Sequence, residues 1–236
     1  MSKKFLLVSV SLLVGVFVTL NVFKGFSSGS GSPVSLTDIA VFERPSVPPT
    51  KEEKVGNASK KVVRTLTVNR KRVLELKQQV DELVEHLVDD IAKLSTQSKE
   101  AIVLLIDSPG GSVFIGEKIL TAIENSEAPV YTVCVGLCAS MAAIIHQHGV
   151  KRYALDRSAL MFHDASGGLM GKLGEMKSLL LFIQRKIDKT NAYIASRSGI
   201  SLEQFKQMQS NNLWIDAEDS KNAKFVDELV RLKINE

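Results

Sequence analysis

The sequence has only two cysteines, and it contains no spacing of cysteine and histidine that would hold zinc. Cys134 and Cys138 lie four positions apart in one apolar segment, without a histidine or carboxylate beside them. We therefore expect both to pack as small buried side chains rather than as a disulfide, and we expect no metal ion. The Gly-x-Gly-x-x-Gly and Walker phosphate-loop patterns are missing too, so the sequence predicts no nucleotide cofactor.

A strong excess of charge is also missing, since the formal net charge is only +4 and 24% of the residues are charged. No aromatic-rich basic segment resembles a nucleic-acid-binding sheet. A short basic run precedes the folded body, and such a run is typical of a solvated domain edge. It consists of Lys60, Lys61, Arg64, Arg70, Lys71 and Arg72. The sequence therefore predicts no nucleic-acid partner.

The first 26 residues contain one long apolar run, Phe5 to Phe23, which has no formal charge. As a helix it would reach about 28 Å, enough to cross the hydrocarbon core of a bilayer. A cleaved signal peptide is the alternative, with Ser27 to Gly29 as its cleavage site, but its apolar region is usually shorter. We expect residues 1–26 to be a single-pass membrane anchor. The lysines before the run outnumber the one after it, which favours a folded body outside the cytoplasm.

Residues 27–59 have the composition of a flexible tether. Ser27 to Ser32 contains only serine and glycine, and Pro45 to Thr50 is rich in proline. Such segments do not bury enough apolar surface to fold alone. The remaining residues, 60–236, are sufficient for one domain with one substantial core.

Strand-like and helix-like patterns alternate along residues 60–236. Ala101 to Ile106 and Val130 to Val135 are continuous apolar runs, typical of strands buried on both faces. Helical patterns follow each run, and a long helix is predicted over Leu173 to Ser196. Strands that alternate with helices predict an α/β fold with a mainly parallel sheet.

Two strand-to-helix junctions carry the residues of a hydrolase. Gly110 and Gly111 follow the first buried strand, and adjacent glycines allow backbone N–H groups to point at a ligand. Ser140 lies where the next strand turns into a helix, a position suited to a nucleophile or simply to a helix cap. The amides of Gly111 and Met141 would then form an oxyanion hole.

His163 is the candidate general base among the four histidines. His86 lies among acidic residues on a helix, and His146 and His148 lie in the last turn before Gly149. His163 alone ends a strand-like segment and precedes a Gly-Gly pair. The pattern leaves a structural histidine open as the alternative.

The spacing of these motifs resembles the proteolytic subunit of the Clp protease, a member of the ClpP/crotonase superfamily. The resemblance rests on Ile106-Asp-Ser-Pro-Gly-Gly-Ser-Val113, Ala139-Ser-Met141, Met161-Phe-His163 and Ser201-Leu-Glu-Gln204. It implies repeated ββα units with a protruding handle helix, and a serine endopeptidase acting on peptides or unfolded proteins. It also implies Ser140 as nucleophile, His163 as base, and the Gly111 and Met141 amides as oxyanion hole.

The third residue of the catalytic triad departs from the family pattern. The family has an aspartate here, whereas the position counted from Ser201 falls on Asn212. An asparagine still accepts a hydrogen bond from histidine, but it brings no charge to stabilise the imidazolium. We expect the triad Ser140–His163–Asn212, with Asp164 and Asp216 as alternative carboxylates.

The resemblance also implies self-assembly, because the family's subunits form stacked heptameric rings through the handle. Residues 167–196 match the handle in position, and its leucine cluster, Leu179 to Leu181, is more apolar than a solvent-facing helix needs. The family segment that helps to engage a cytosolic unfoldase is replaced here by the predicted anchor and tether. We therefore expect a homo-oligomer without a Clp-type ATPase partner.

Three other functions remain open from the sequence. A signal-peptide-peptidase-like membrane protease would need a lysine base, for which Lys172 and Lys177 are present. A crotonase-like acyl-CoA enzyme would use the glycine amides without a serine–histidine pair. A catalytically weak or silent scaffold is the third, because Asn212 stands in place of an aspartate.

Overall fold

The computed structural model describes residues 63–236. The predicted anchor (1–26) and tether (27–59) lie outside the described residues, as does the start of the predicted domain at residue 60. Within residues 63–236, no helix combines the length and the apolar character needed to span a membrane.

Eight strands and six α-helices form the described part of the chain. The strands are β1 (Arg64–Asn69), β2 (Val73–Leu76), β3 (Ile102–Ser108), β4 (Val130–Ala139), β5 (Lys151–Ala154), β6 (Ala159–Phe162), β7 (Leu213–Asp216) and β8 (Glu228–Asn235). The helices are α1 (His86–Gln97), α2 (Val113–Glu124), α3 (Met141–Gln147), α4 (Leu173–Ser198), α5 (Leu202–Ser210) and α6 (Ala217–Asn222).

The strands pair in the order β1-β8-β5-β4-β3-β2, and β6 pairs with both β4 and β7. All of these pairs are parallel except β6 with β7. The apolar run of β3 is at most 5% exposed from Ile102 to Ile106, as expected for a central strand covered on both faces. The predicted α/β class and mainly parallel sheet are confirmed for these residues.

Strand β4 has a register shift, or break, in its middle that positions the turn at Ser140. Cys134 pairs with Ile106, whereas Cys138 pairs with Ser108, so four steps along β4 match only two along β3. The extra residues loop out between the two cysteines. Before the break β4 pairs with β5, and after the break it pairs with β6. The second half of β4 therefore brings the following turn beside the end of β6.

Cys134 and Cys138 form a disulfide, which corrects the expectation of two separate buried thiols. Both residues are fully buried, so the expected burial is confirmed. Their Cα atoms lie 6.0 Å apart, within the range that a disulfide bridges. Four residues of regular strand would span about 13 Å, and only the looped-out segment brings the cysteines together.

Helix α4 is packed along its C-terminal half and exposed along its N-terminal half. Asn191, Ile194, Ala195 and Ser198 are buried, whereas Leu173, Leu180 and Leu181 are 80%, 59% and 54% exposed. Lys186 pairs with Glu117 of α2 at 2.7 Å and marks the middle of the helix. The helix thus presents a projecting apolar half at the position predicted for a handle.

Candidate active site

Ser140 lies at the junction of β4 and α3 with an unusual backbone conformation. Its φ is +54° and its ψ is −126°, a region that residues other than glycine seldom adopt. Such a conformation costs about 1–3 kcal/mol and tends to occur at functional sites. The Ser140 side chain makes no hydrogen bond that caps α3, so the structural role of a helix cap is not what holds it there.

The Ser140 hydroxyl faces His163, the residue that directly follows β6. The distance from Ser140 Oγ to His163 Nε2 is 2.8 Å, a hydrogen-bond distance. The two residues are 23 positions apart in the sequence. They meet because β4 and β6 run side by side and parallel, with Ala139 paired to Met161. The arrangement lets the imidazole take the hydroxyl proton while the oxygen attacks a carbonyl.

The Gly110–Gly111 turn lies directly against Ser140. Gly110 has a φ of +89° and Gly111 a φ of +152°. A Cβ atom at Gly110 would lie 2.7 Å from Ser140 Cβ and 2.8 Å from Met141 N, so only glycine allows this approach. Val80 fixes the turn from the other side, since its N–H donates to the Gly110 carbonyl and its own carbonyl accepts from Ser112 N–H. Neither of these bonds uses the Gly111 N–H.

A cavity of about 470 Å³ joins these groups. Ser140, His163, Gly110, Gly111 and Met141 all line it. Most of the remaining lining comes from the segment after His163 and from helices α2, α4 and α5. The cavity is large enough to take a side chain of a peptide substrate next to the serine hydroxyl.

The other three histidines have separate structural roles. His86 is exposed, and its Nδ1 lies 2.9 Å from the Leu83 carbonyl. Burial lowers the pKa of His146 to about 4, and its Nε2–H donates to the Tyr153 carbonyl at 3.0 Å. Burial also lowers the pKa of His148. His146 therefore stays neutral inside the fold. Its position in the last turn of α3 did not indicate from the sequence that it would be buried.

The backbone of Asn212 lies close to that of His163, but the two side chains are not hydrogen-bonded to each other. Strand β7 pairs antiparallel with β6, and the last pair is Phe162 with Leu213. One further step would set Asn212 opposite His163. Asn212 is exposed with a φ of +53°, and no hydrogen bond links its side chain to His163 within the described residues. The assignment of Asn212 to the triad stays a prediction.

The alternative acids and bases lie in different surroundings. Asp216 caps α6, since its Oδ1 accepts from Asp219 N–H at 2.9 Å. Asp164 is exposed and lines the cavity. Lys172 and Lys177, the bases that a Ser–Lys protease would need, are both exposed and do not line the cavity. Among residues 63–236, no three His, Cys, Asp or Glu side chains cluster in a way that could hold a metal ion.

Sequence reasoning missed a polar wall on the inner side of the cavity. Thr190 and Asn191 of α4 and Gln209 of α5 line the cavity together with Ser140. Asn191 and Gln209 are each only 3% exposed. Polar residues on helices usually face solvent, and only the packing of α4 and α5 against the core turns these inward.

The sequence matches the Clp protease family over residues 55–233, about three quarters of the chain. The chain belongs to the Clp protease family. The match includes both strand-to-helix junctions, His163 directly after β6, and helix α4. The chain is thus a peptidase by family, and proteins of this family generally form oligomeric rings and act on peptides.

Proposed function

We propose that this chain is a serine endopeptidase. In the proposed reaction Ser140 Oγ attacks a peptide carbonyl, and His163 Nε2 takes the hydroxyl proton and later passes it to the leaving amine. The N–H groups of Gly111 and Met141 stabilise the oxyanion that forms on the carbonyl oxygen. Asn212 is proposed as the third residue, accepting a hydrogen bond from the imidazole. Water then releases the acyl group from Ser140.

One observation carries the proposal: Ser140 Oγ and His163 Nε2 are 2.8 Å apart in a cavity that they share with the Gly-Gly turn. The strained backbone of Ser140 supports it, because a mere helix cap needs no such conformation. A crotonase-like acyl-CoA enzyme would use the glycine amides but would not need this serine–histidine pair.

A fluorophosphonate probe and a fluorogenic peptide together test the proposal on the full chain. We expect labelling and peptide hydrolysis in the wild type, and neither in Ser140→Ala. His163→Ala should reduce both by about 10²–10⁴-fold, the usual contribution of a general base. Ser166→Ala is the matched control, since Ser166 lines the same cavity. A folded wild type that neither labels nor hydrolyses would instead indicate a silent scaffold.

We further propose that the peptidase works as a homo-oligomer, with heptameric rings as the family pattern. The support is the exposed apolar half of α4 together with the family membership. A Clp-type ATPase is not required in this proposal, because the sequence before residue 60 replaces the segment through which the family resemblance implies such a partner.

Membrane attachment is a separate part of the proposal and rests on the sequence alone. The uncharged run Phe5 to Phe23 supports a single-pass anchor with the peptidase outside the cytoplasm. Extraction of isolated membranes with alkaline carbonate tests it. The full chain should stay in the pellet, and a variant with Val14→Lys and Val18→Lys should appear in the supernatant. Protease digestion of intact and opened cells then decides on which side residues 60–236 lie.

A further inference from the structure

Ser108, the last residue of β3, has a buried hydroxyl that the proposed reaction does not use. The residue is 1% exposed and is not among those that line the active-site cavity. Its Oγ donates to the Gln78 carbonyl at 2.6 Å and accepts from the Gly110 N–H at 3.2 Å. The hydroxyl therefore joins the Gly-Gly turn to a backbone segment, residues 78–80, that is distant in the sequence.

The peptide group between Gly110 and Gly111 carries the N–H proposed for the oxyanion hole. It is trans, so its carbonyl and its N–H point in opposite directions. The Gly110 carbonyl accepts from the Val80 N–H at 2.8 Å, which directs the Gly111 N–H away from Val80. Ser140 lies on that other side of the turn, since a Cβ at Gly110 would lie 2.7 Å from Ser140 Cβ. The orientation of this one peptide group therefore decides whether the oxyanion hole has its glycine donor.

The two glycines do not hold this orientation by themselves. Neither has a Cβ atom, so the peptide group between Gly110 and Gly111 can rotate at little steric cost. A reversed peptide group would direct its carbonyl oxygen towards the substrate and would repel an oxyanion instead of stabilising it. Hydrogen bonds from neighbouring residues must therefore select the orientation that the reaction needs.

Three hydrogen bonds hold the turn, and Ser108 provides the side chain among them. The Val80 N–H donates to the Gly110 carbonyl, and the Val80 carbonyl accepts from the Ser112 N–H at 2.7 Å. The third bond joins the Gly110 N–H to Ser108 Oγ. Because the same Oγ also bonds the carbonyl of Gln78, two residues before Val80, the hydroxyl holds both sides of this contact. Without it, a backbone N–H and a backbone carbonyl would both lose their partner, which is unfavourable where the backbone is buried.

We propose that Ser108 is a positioning residue of the oxyanion hole, because its hydroxyl keeps the Gly111 N–H directed at the substrate carbonyl. The inference rests on the proposed function and deepens it by naming the side chain that controls the glycine donor. Ser108 acts only through Gly110 and residues 78–80 and does not touch the substrate. Its loss should therefore affect the transition state, in which the oxyanion forms, more than the binding of the uncleaved peptide.

Steady-state hydrolysis of a fluorogenic peptide by the full chain tests the proposal. Ser108→Ala should lower kcat by about ten- to hundredfold, part of the usual effect of losing an oxyanion donor, with KM nearly unchanged. Ser108→Thr keeps the hydroxyl and should restore most of the lost kcat. Ser95→Ala is the matched control, since Ser95 is 4% exposed and its Oγ also bonds two backbone groups, the N–H groups of Glu127 and Ala128. If kcat is the same in Ser108→Ala and Ser95→Ala, the inference is wrong.

A peptide aldehyde separates loss of the oxyanion hole from general damage to the cavity. Ser140 Oγ bonds to the aldehyde carbon, the hydroxyl proton passes to His163, and the former carbonyl oxygen occupies the oxyanion hole. The Ki of the aldehyde should rise in Ser108→Ala by about the factor by which kcat falls. The Kd of the uncleaved peptide, measured by fluorescence anisotropy with Ser140→Ala, should not change when Ser108→Ala is added. If Kd weakens by the same factor as kcat, Ser108 supports the whole cavity and the inference fails.

Hydrogen–deuterium exchange of the full chain reports on the turn without any catalysis. The N–H groups of Gly110 and Ser112 are both hydrogen-bonded, so protection of residues 110–112 should fall in Ser108→Ala and not in Ser95→Ala. If the wild type neither hydrolyses peptides nor reacts with a fluorophosphonate, but this protection falls, the peptidase proposal fails while Ser108 still holds the turn. Equal protection in Ser108→Ala and the wild type overturns the inference.

Discussion

The backbone N–H of Ser140 donates to the carbonyl of Met161 at 2.8 Å. This single bond holds the candidate nucleophile against β6, the strand that His163 directly follows. It continues the parallel pairing of β4 with β6, whose last pair is Ala139 with Met161. The relative position of the serine and the histidine is therefore set by sheet pairing rather than by flexible loops, as a preorganised reaction requires.

Replacement of Asn212 by aspartate tests the third member of the triad. Asn212→Asp should raise kcat by about tenfold or more, since a carboxylate stabilises the imidazolium that forms during attack. Steady-state hydrolysis of a fluorogenic peptide measures it. Asn211→Asp, at the neighbouring exposed position, is the control. An active enzyme that is indifferent to Asn212→Asp would show that another group orients His163.

Gly111→Ala tests the proposed oxyanion hole. The added Cβ would overlap the Val80 carbonyl oxygen, and a φ of +152° is strained for alanine. The turn must shift, so kcat should fall by about 10²–10³-fold, the usual cost of losing an oxyanion donor. Gly168→Ala should leave kcat unchanged, because a Cβ there meets no atom within 4 Å. If kcat is the same in both variants, Gly111 does not contribute to the oxyanion hole.

Leu180→Asp tests whether the exposed half of α4 forms a subunit interface. Leu180 is 59% exposed, so the folded protomer should tolerate the change, whereas a buried carboxylate in an apolar interface is unfavourable. Sedimentation velocity should show smaller assemblies than in the wild type. Ser178→Asp introduces the same charge at an exposed polar position of the helix. If both variants assemble normally, this face does not join subunits.

Reduction of the Cys134–Cys138 disulfide should lower stability. The bond closes a loop of five residues, for which the chain-entropy relation gives about 2 kcal/mol. Urea unfolding with and without a dithiol reductant measures the difference. The Cys134→Ala, Cys138→Ala double variant should not respond to the reductant. If the reductant does not change the free energy of unfolding of the wild type either, the two cysteines are free thiols, as expected from the sequence.

His146 should make the fold sensitive to mild acid. Burial lowers the pKa of His146 from 6.5 to about 4. Between these pH values the unfolded chain binds a proton at His146 and the folded chain does not. The stability from neutral His146 is complete above pH 6.5 and declines towards pH 4, by about 3 kcal/mol in total. Urea unfolding at several pH values measures this slope. His146→Gln should flatten it, leaving the smaller slope from His148, whose pKa is also lowered.

Much of the fold was predictable because local patterns specify it. The helix predicted after the first buried strand is present as Val113–Glu124. The Ser201-Leu-Glu-Gln204 motif forms a capping box at the start of α5. The long helix predicted over Leu173 to Ser196 begins at Leu173 and ends two residues later than expected, at Ser198. Hydrophobic spacing and helix caps involve neighbours in the sequence, so they can be recognised without tertiary contacts.

The break in β4 was not predictable, and neither were its consequences. The apolar run Val130 to Val135 predicted one uniform strand, but pairing with β5 on one side of the break and β6 on the other extends it to Ala139. The break brings Cys134 and Cys138 close enough to form the disulfide. It depends on the register of three strands that are distant in the sequence, and no local pattern records a register.

The sequence by itself determined the alternation of strands and helices around the two strand-to-helix junctions, the resemblance to the family, and the residue types at the serine, histidine and glycine positions. Those features follow from local propensity and from motifs of fixed spacing. Only the tertiary structure decided that Ser140 lies 2.8 Å from His163, that His146 is buried and neutral, and that Gln209 is buried at the cavity lining while Asn212 is exposed. These features depend on burial and on contacts between distant segments, which exist only after the chain has packed.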